Sequence, residues 1–446
     1  MAILRGVLQR PLASYYLLLA SAGLLLLIGL VMVFSATSVQ AYSRVGNAYS
    51  YVSKQAVFSL VGLVAFWIFQ RLPARTYRAL GLPLLIVSVI LLLVLDLLGV
   101  LSALARHQVA LGPVHADAIN SLWLYLGPLQ VQPSELAKLA LALWGAQVLV
   151  AKGPEVARFR DVATPLFPVA AVLFIMIGYQ DFGTMTCLLI LFVGLLWAAG
   201  VRLRVFFAMG LVAATGMLFL ILLPGMGYRV ERLTTFADPG ACSSVQAAQA
   251  ECYQAIHGMY AIANGGWFGV GLGQGRLKWG YLPNGHNDFI FAVIAEELGV
   301  VGCFVVLGLF AVLGYTGLRI ARRVDDPFRR MVAAAITIWL IGQAMINIGG
   351  VTGLLPITGL PLPFISDGGS ALVVTLAAVG LLASFARAEP DAARALHARP
   401  PDRWVRLLWA PLPPLPRQRE PRRPGQRQAA PRTHTPRTRR SSERRS

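Results

Sequence analysis

Ten long runs of apolar residues recur along the chain, and they constrain its fold more than any other feature. The hydrocarbon core of a bilayer offers no hydrogen-bond partner to a backbone amide, so a run of about 20 apolar residues predicts a membrane-spanning helix. The runs cover residues 15–35, 55–70, 80–101, 135–151, 163–178, 183–199, 205–223, 289–316, 331–353 and 368–386. We therefore predict an all-α polytopic membrane protein with ten transmembrane helices.

The composition excludes a soluble globular protein. Apolar residues make up 57% of the chain and charged residues 13%, whereas about 25% charged residues is usual in globular domains. The net charge of +19 arises in large part from the end of the chain, where eleven arginines face two glutamates between Arg417 and Ser446. We interpret this basic stretch as an anchor on anionic lipid and expect no nucleic-acid partner.

The chain divides into three parts. Residues 1–14 form a short cytoplasmic segment, and residues 15–388 form the ten-helix membrane domain. Residues 389–446 are rich in proline and arginine and lack apolar periodicity, which predicts a disordered cytoplasmic tail.

The distribution of cations between the runs predicts the orientation in the cell (plasma) membrane, because cytoplasmic loops carry an excess of lysine and arginine. With the N-terminus inside, the short inner loops hold fifteen cations: Arg5, Arg10, Arg71, Arg75, Arg78, Lys152, Arg158, Arg160, Arg202, Arg204, Arg319, Arg322, Arg323, Arg329 and Arg330. The longer outer loops hold seven: Arg44, Lys54, Arg106, Arg229, Arg232, Arg276 and Lys278. Both termini are thus predicted to be cytoplasmic, with a large outer loop, 224–288, between the seventh and eighth runs.

Asp288, at the predicted start of the eighth helix and the outer membrane interface, is the candidate catalytic residue. An acid at this position can also cap the helix, and position alone does not separate the two roles. Glu296 and Glu297 follow two turns deeper, where a buried carboxylate must face the helix bundle or a wet cavity. We expect them to support the site, paired with a cation from another helix or protonated.

A second polar motif, Gln132-Pro-Ser134-Glu135-Leu-Ala-Lys138, opens the fourth run. Ser134 is predicted to cap the helix, and Glu135 and Lys138 share a helix face at a spacing of three residues. The motif predicts a local ion pair. It also predicts that Lys138, near the outer boundary, binds a lipid phosphate.

The outer loop contains a glycine-rich stretch, Ala263–Gly275, that lacks the Gly-Lys-Ser/Thr ending of a nucleotide-binding loop. We interpret it as a tight loop at the membrane surface, whose exposed amides are able to cradle a lipid phosphate. The cations Arg229, Arg232, Arg276 and Lys278 of the same loop are candidates for binding an anionic substrate.

Two of the four cysteines, Cys242 and Cys252, lie in the outer loop, ten residues apart. An oxidising exterior and the short polar spacer between them favour a disulfide over two free thiols.

Taken together, four motifs resemble the SEDS proteins (shape, elongation, division and sporulation). They are QPSELAK at 132–138, QDFGT at 180–184, NDFIFAVIAEELG at 287–299 and GLLPITGLPLPFISDGGSA at 353–371. The resemblance extends to about Glu389, and the chain's ending is more similar to the division-type members of actinobacteria than to the elongation type. The chain departs from the usual family pattern at Leu122, Tyr179, Gln180, Asn284 and Asp367.

The resemblance implies a peptidoglycan glycosyltransferase that polymerises lipid II, an undecaprenyl-pyrophosphoryl disaccharide-pentapeptide, during septal cell-wall synthesis. It implies an essential acid at Asp288. The implied partners are a class B penicillin-binding transpeptidase and other division proteins. No protein metal site is predicted, although a divalent cation, Mg²⁺ or Mn²⁺, is one candidate for neutralising the pyrophosphate, beside the cations of the outer loop.

Two other functions are compatible with the sequence. A lipid II flippase would use the intramembrane polar residues Asp96, Lys138, Glu296 and Glu297 as a pathway, although we find no inverted repeat of the kind many transporters carry. A non-catalytic scaffold of the division machinery would need Asp288 only for its structure.

Overall fold

The structure is a computed structural model that describes residue 6 and residues 9–105, 110–111, 114–116, 122–126, 129–153, 159–222, 252–276, 279 and 281–415. Each of the ten apolar runs forms a long helix within these residues. The ten helices are α1 (Ala13–Val45), α2 (Ser50–Arg71), α3 (Ala74–Ala105), α4 (Pro133–Lys152), α5 (Phe159–Gln180), α6 (Phe182–Ala198), α7 (Leu203–Leu222), α9 (Ile290–Arg323), α10 (Pro327–Val351) and α11 (Ser370–Arg387). Three shorter helices are α8 (Tyr253–Gly265), α12 (Pro390–Ala398) and α13 (Arg403–Leu408).

The helices form a polytopic membrane fold. In the part of the chain that is described, seven helices are long and apolar enough to cross a bilayer, namely α1, α2, α3, α4, α9, α10 and α11. Leucine, valine and isoleucine side chains face outward along α2 and α3 and are exposed, as expected for surfaces that contact lipid.

The core lies between α4, α10 and α11, which are buried over most of their apolar length. α11 packs along α2, α3 along α4, α9 along α1 and α10, and α10 along α6. The largest fully buried side chains include Trp339, Phe192, Phe328 and Phe385. Small residues allow close packing, since a Cβ at Gly380 of α11 would lie 2.5 Å from the carbonyl oxygen of Phe66 in α2.

The all-α prediction is wrong for the segment between α3 and α4. Four short strands, β1 (Ala110–Leu111), β2 (Val114–Ala116), β3 (Leu124–Leu126) and β4 (Leu129–Val131), form an antiparallel sheet in the order β1-β2-β3-β4. Strands of two or three residues are too short to show an alternating apolar pattern. These four strands were therefore not predictable from the apolar pattern.

The prediction of a disordered tail from residue 389 onward is wrong for residues 390–415. This stretch contains α12 and α13 and contacts the membrane helices, where the indole Nε1 of Trp409 donates a 2.6 Å hydrogen bond to the hydroxyl of Tyr15. Gln70 and Arg387 donate hydrogen bonds to the carbonyl oxygens of Trp409 and Ala410. Residues 416–446 lie outside the described residues.

Candidate functional site

Asp288 lies in the turn segment 281–289 that precedes α9, and its side chain is half-buried. The prediction that it stands in the first helical turn is wrong, because α9 begins at Ile290. The N-cap position is occupied by Phe289, whose side chain makes no capping hydrogen bond. Asp288 thus lies one residue before the N-cap.

The wall opposite Asp288 is the segment 352–369, an irregular stretch that joins α10 to α11 and is mostly buried among the helices from Leu360 onward. Close contacts at two glycines hold it there: a Cβ at Gly29 of α1 would lie 2.5 Å from the carbonyl oxygen of Phe364, and a Cβ at Gly183 of α6 would lie 2.5 Å from that of Thr358. Irregular backbone at membrane depth is tolerated where it is buried in protein.

Asp181 fixes the end of α6 on which Gly183 lies. Its side chain caps the N-terminus of α6 by accepting a 3.0 Å hydrogen bond from the backbone amide of Thr184. This cap fixes the end of α6 that contacts the 352–369 segment at Thr358.

Asn347, on α10, joins the two outer segments at Asp288. Its Nδ2 donates one hydrogen bond of 2.8 Å to the main-chain oxygen of Asp288 and another of 2.6 Å to that of Leu360. A Cβ at Gly359 would lie 3.7 Å from Oδ2 of Asp288, so the segment that Asn347 holds also borders the carboxylate.

Two further hydrogen bonds join the same segments. The Ser366 hydroxyl donates to the main-chain oxygen of Asn287 at 2.6 Å, and the Asp367 amide donates to that of His286 at 3.1 Å. The backbone on both sides of Asp288 is therefore fixed to the 352–369 segment. The role of Asn347 was not predictable from the sequence, because nothing in an amide's position indicates that its partner is an irregular segment.

The predicted ion pair of α4 is present and deeply buried. Nζ of Lys138 lies 2.8 Å from Oε1 of Glu135, and neither side chain has more than 1% of its surface exposed. Nζ of Lys138 also donates to Oε1 of Gln343 at 3.1 Å and lies 4.9 Å from the centre of the Trp339 ring. Lys138 thus has protein partners on three sides, and its contact with a lipid phosphate stays a prediction.

Gln132, not Ser134, occupies the N-cap position of α4, and its side chain makes no capping hydrogen bond. The capping role predicted for Ser134 is therefore wrong, because Pro133 already forms the first helical residue. Both Gln132 and Ser134 are buried. The main-chain amide of Gln132 donates a 3.0 Å hydrogen bond to the Ser370 hydroxyl, which connects α4 to the start of α11.

Glu296 and Glu297 bind the glycine-rich segment 266–275. Oε1 of Glu296 accepts a 2.9 Å hydrogen bond from the amide of Arg276, and Oε2 of Glu297 accepts one of 3.1 Å from the amide of Gly273. The Ser35 hydroxyl of α1 donates to the same Glu297 oxygen at 2.5 Å. Backbone amides are thus partners of both carboxylates, which are almost fully buried.

The main chain of the glycine-rich segment also pairs with a break in α9. Gly299 has a φ of +65°, and the amides of Val300 and Val301 on its far side donate to the carbonyl oxygens of Gly266 and Trp267. The amides of Val270 and Gly271 in turn donate to the carbonyl oxygens of Glu296 and Glu297. The amides of Val270 and Gly271 are thus engaged within the protein, and phosphate binding by other amides of the segment stays a prediction.

Of the four outer-loop cations predicted to bind substrate, the structure describes Arg276, whose side chain is exposed. Its main chain is held at the level of Glu296 by the hydrogen bond described above. Arg229, Arg232 and Lys278 lie outside the described residues.

An outer cavity of about 360 Å³ lies beside the turn segment, between the end of α1 and the start of α2. Its lining includes Arg44, Tyr51, Asn284 and His286. Asn284 has a φ of +54°, a left-handed conformation that asparagine tolerates better than most residues with a side chain. The cavity places polar and cationic groups next to the segment that carries Asp288.

His286, which lines this cavity, interacts electrostatically with Asp367. Burial lowers the pKa of His286, against the opposing effect of the Asp367 carboxylate. Burial raises the pKa of Asp367, against the attraction of His286 and Lys54. For both side chains the loss of hydration thus outweighs the charge of the neighbours and favours the neutral form.

Among the described cysteines, Cys252 is disulfide-bonded, whereas Cys187 and Cys303 are free thiols. Cys242 lies outside the described residues, so its pairing with Cys252 stays a prediction.

No group of three or more histidine, cysteine, aspartate or glutamate side chains is suited to hold a metal ion in the described part of the chain. Around Asp288 the structure shows one carboxylate and main-chain oxygens. Mg²⁺ is commonly bound by one or two carboxylates together with substrate phosphates, so a divalent cation bound with the pyrophosphate stays a prediction.

Comparison with known proteins defines the class. Residues 15–390 match the family described as cell cycle protein, which is named after FtsW, RodA and SpoVE. The chain therefore belongs to this family of polytopic membrane proteins, which confirms the SEDS resemblance.

Particular members are similar over most of the chain. A probable peptidoglycan glycosyltransferase FtsW of Mycobacterium tuberculosis is 41% identical over 408 residues, which are 91% of this chain and 74% of that protein. Two solved structures are similar, each over 83% of this chain and 96% of theirs. One is from a study of the structural coordination of polymerization and crosslinking by a peptidoglycan synthase complex (30% identity, TM-score 0.61), and the other is RodA of Thermus thermophilus (25% identity, TM-score 0.56).

Proposed function

We propose that this protein is a peptidoglycan glycosyltransferase that polymerises lipid II into glycan strands during septal cell-wall synthesis. The single observation that carries the proposal for the site is the position of Asp288, half-buried in a turn that hydrogen bonds fix to the 352–369 segment. Similarity to FtsW over 91% of the chain supports the division role over the elongation role.

Asp288 is the general base in this proposal. The 4-hydroxyl oxygen of one saccharide attacks the anomeric carbon of another, and the bond from that carbon to the lipid pyrophosphate breaks. The Asp288 carboxylate accepts the hydroxyl proton, and the pyrophosphate departs with the bonding electrons. A single carboxylate suffices for this step because the leaving group is already an anion and needs no acid, unlike the alcohol that glycosidases expel.

The length of α9 supports this role. Residues 300–318, after the break at Gly299, carry no charge and are followed by Arg319. They extend about 29 Å, close to the hydrocarbon thickness of about 30 Å. If this stretch spans the core, the break and the part of α9 before it lie at the core boundary, so Asp288 lies near the head group of a lipid-linked saccharide.

The leaving pyrophosphate needs cations near the hydrocarbon boundary. Arg276 is held there through Glu296, and Arg229, Arg232, Lys138 and Lys278 stay candidates. Magnesium or manganese bound by the pyrophosphate itself would serve the same purpose, and no protein metal site is part of the proposal.

The remaining parts of the proposal concern the cellular setting. We infer ten spans with both termini in the cytoplasm, the active site on the extracytoplasmic side of the membrane, and a location at the division septum. The similar structure of a peptidoglycan synthase complex supports a class B penicillin-binding transpeptidase as partner, together with other division proteins.

The test compares wild type with Asp288→Asn in a lipid II polymerisation assay with the reconstituted protein and its transpeptidase partner. We expect a loss of roughly 10²–10⁴-fold, the usual contribution of proton transfer. Asp391→Asn is the control, since Asp391 is exposed and forms an ion pair with Arg394 on the opposite face.

The outcomes separate the rival functions. Unchanged polymer yield from Asp288→Asn excludes the base role, and complementation of a depleted strain by this variant would favour the scaffold. Transfer of lipid II between leaflets by a variant that makes no glycan would favour the flippase.

A further inference from the structure

Asn347 is the side chain that connects the backbone of Asp288 to the opposite wall of the site. The residue is 4% exposed, and both hydrogen bonds of its Nδ2 end on main-chain oxygens, those of Asp288 and Leu360. An amide nitrogen has two hydrogens, so its donor capacity is used in full by these two contacts. Neither contact involves a reacting atom.

The contacts of Asn347 affect the orientation of the Asp288 side chain through the main chain. The main-chain oxygen of Asp288 lies one residue before the N-cap of α9, where the backbone has no regular hydrogen bonding to define its rotation. Leu360 follows Gly359, at which an added Cβ would lie 3.7 Å from Oδ2 of Asp288. A single amide thus fixes both the backbone that carries the base and the wall against which the base lies.

A second side-chain amide, that of Gln343 one turn earlier in α10, holds the same segment. Nε2 of Gln343 donates to the main-chain oxygen of Pro361 at 2.9 Å. Its Oε1 accepts hydrogen bonds from Trp339 and Lys138, and Lys138 pairs with Glu135. Because hydrogen bonds between buried amides and charges are costly to break, this chain of contacts holds segment 359–361 in one position.

We propose that Asn347 is a positioning residue for the base Asp288, and that it acts on the rate of the chemical step rather than on substrate binding. The inference rests on the proposed function. A positioning residue affects the transition state, in which the carboxylate must lie in line with the hydroxyl proton, more than it affects the complex with bound lipid II.

The test is a graded series at position 347 in the reconstituted full-length protein with its partner. Asn347→Ser retains one donor hydrogen and Asn347→Ala retains none. We expect kcat to fall in the order Asn, Ser, Ala, by at least about tenfold for Asn347→Ala, as misplacement of a reacting group commonly costs up to about 10²-fold. We expect KM for lipid II to change less than about threefold and the detergent-solubilised variants to keep the wild-type unfolding temperature within about 5 °C.

Thr337→Val is the matched control on the same helix, because the Thr337 hydroxyl donates to the carbonyl oxygen of Ala333 within α10 and lies ten residues, about 15 Å, from Asn347 along the helix. Its kcat should equal that of wild type. A kcat for Asn347→Ala within about threefold of wild type, a rise in KM that accounts for the loss, or a loss that follows a fall in unfolding temperature would each overturn the proposal.

The Asp288→Asn variant, measured in parallel, separates the two claims. Wild-type kcat in Asp288→Asn contradicts the proposed function itself. Loss of activity in Asp288→Asn together with normal activity in Asn347→Ala contradicts only the positioning role.

Discussion

His286 lines the outer cavity and interacts electrostatically with Asp367, and the titration of the two side chains predicts how stability depends on pH. The pKa of His286 is lowered by burial, so below the ordinary value of about 6.5 the unfolded chain binds more protons, and stability rises with pH toward that value. The pKa of Asp367 is raised by burial, so its contribution to stability falls as pH rises above about 3.9. The two slopes oppose each other.

Asp367→Asn should therefore steepen the increase of stability with pH between about 5 and 6.5. The substitution removes the opposing slope of the carboxylate, and it also removes a charge that favours protonated His286. The steepest slope that one histidine can give is about 1.4 kcal/mol per pH unit. Thermal unfolding at a series of pH values measures it.

The double variant Asp367→Asn/His286→Gln is the control, because it removes both side chains whose pKa values are shifted by burial. It should show no such slope. An equal slope in the single and double variants would assign the effect to other groups.

How much of the site the sequence predicts depends on the kind of interaction at each residue. Position left Asp288 as a cap or a catalyst, and the resemblance to the SEDS proteins implied the catalytic role. The Glu135–Lys138 pair was predicted because spacing within one helix determines contact. Asn347 was missed as a support of the base, because its partners are main-chain oxygens in segments that only the tertiary fold brings to it.

At the scale of elements, the glycine-rich segment shows why glycine is needed at some positions and only preferred at others. Gly269 and Gly273 have the same φ of +79°. A Cβ at Gly269 would lie 2.1 Å from the carbonyl oxygen of Glu297, whereas a Cβ at Gly273 would have nothing within 4 Å. The two positions differ in available space and not in backbone conformation.

Gly269→Ala should consequently destabilise the protein more than Gly273→Ala. The left-handed conformation costs a residue with a Cβ about 1–2 kcal/mol, and both variants incur this cost. Gly269→Ala adds a collision with α9 of roughly 1–3 kcal/mol. Thermal unfolding and the rate of trypsin cleavage after Arg276 measure the difference, and equal effects at the two positions would show that contact with Glu297 is unimportant.

Long elements were predictable and short or irregular ones were not. Apolar length alone identified the ten long helices, since the bilayer requires it. The break in α9 at Gly299 and the irregular 352–369 segment depend on partners from distant parts of the chain, namely the glycine-rich segment and the glycines of α1 and α6. A run of apolar residues contains no information on such partners.

At the scale of the whole molecule, contacts divide the helix ends between two faces. Trp409 contacts Tyr15 near the start of α1, and Arg78 at the start of α3 pairs with Asp326 before α10 at 2.7 Å. Gln40 and Arg44 near the end of α1 line the outer cavity together with His286. The face with Trp409 and Arg78 also contains most of the cations that the sequence assigned to the cytoplasm, which predicts that Asp288 faces the exterior.

Labelling of single introduced cysteines tests this orientation. Ser43 is exposed near the end of α1, on the face of the outer cavity, and Asp325 is exposed on the opposite face beside Asp326. A membrane-impermeant maleimide applied to intact cells should label Ser43→Cys at once and Asp325→Cys only after permeabilisation, because the bilayer excludes the charged reagent. The unsubstituted chain, with its own four cysteines, gives the background. The reverse pattern would turn the Asp288 turn toward the cytoplasm, where a base for strand growth on the outer surface has no substrate to act on.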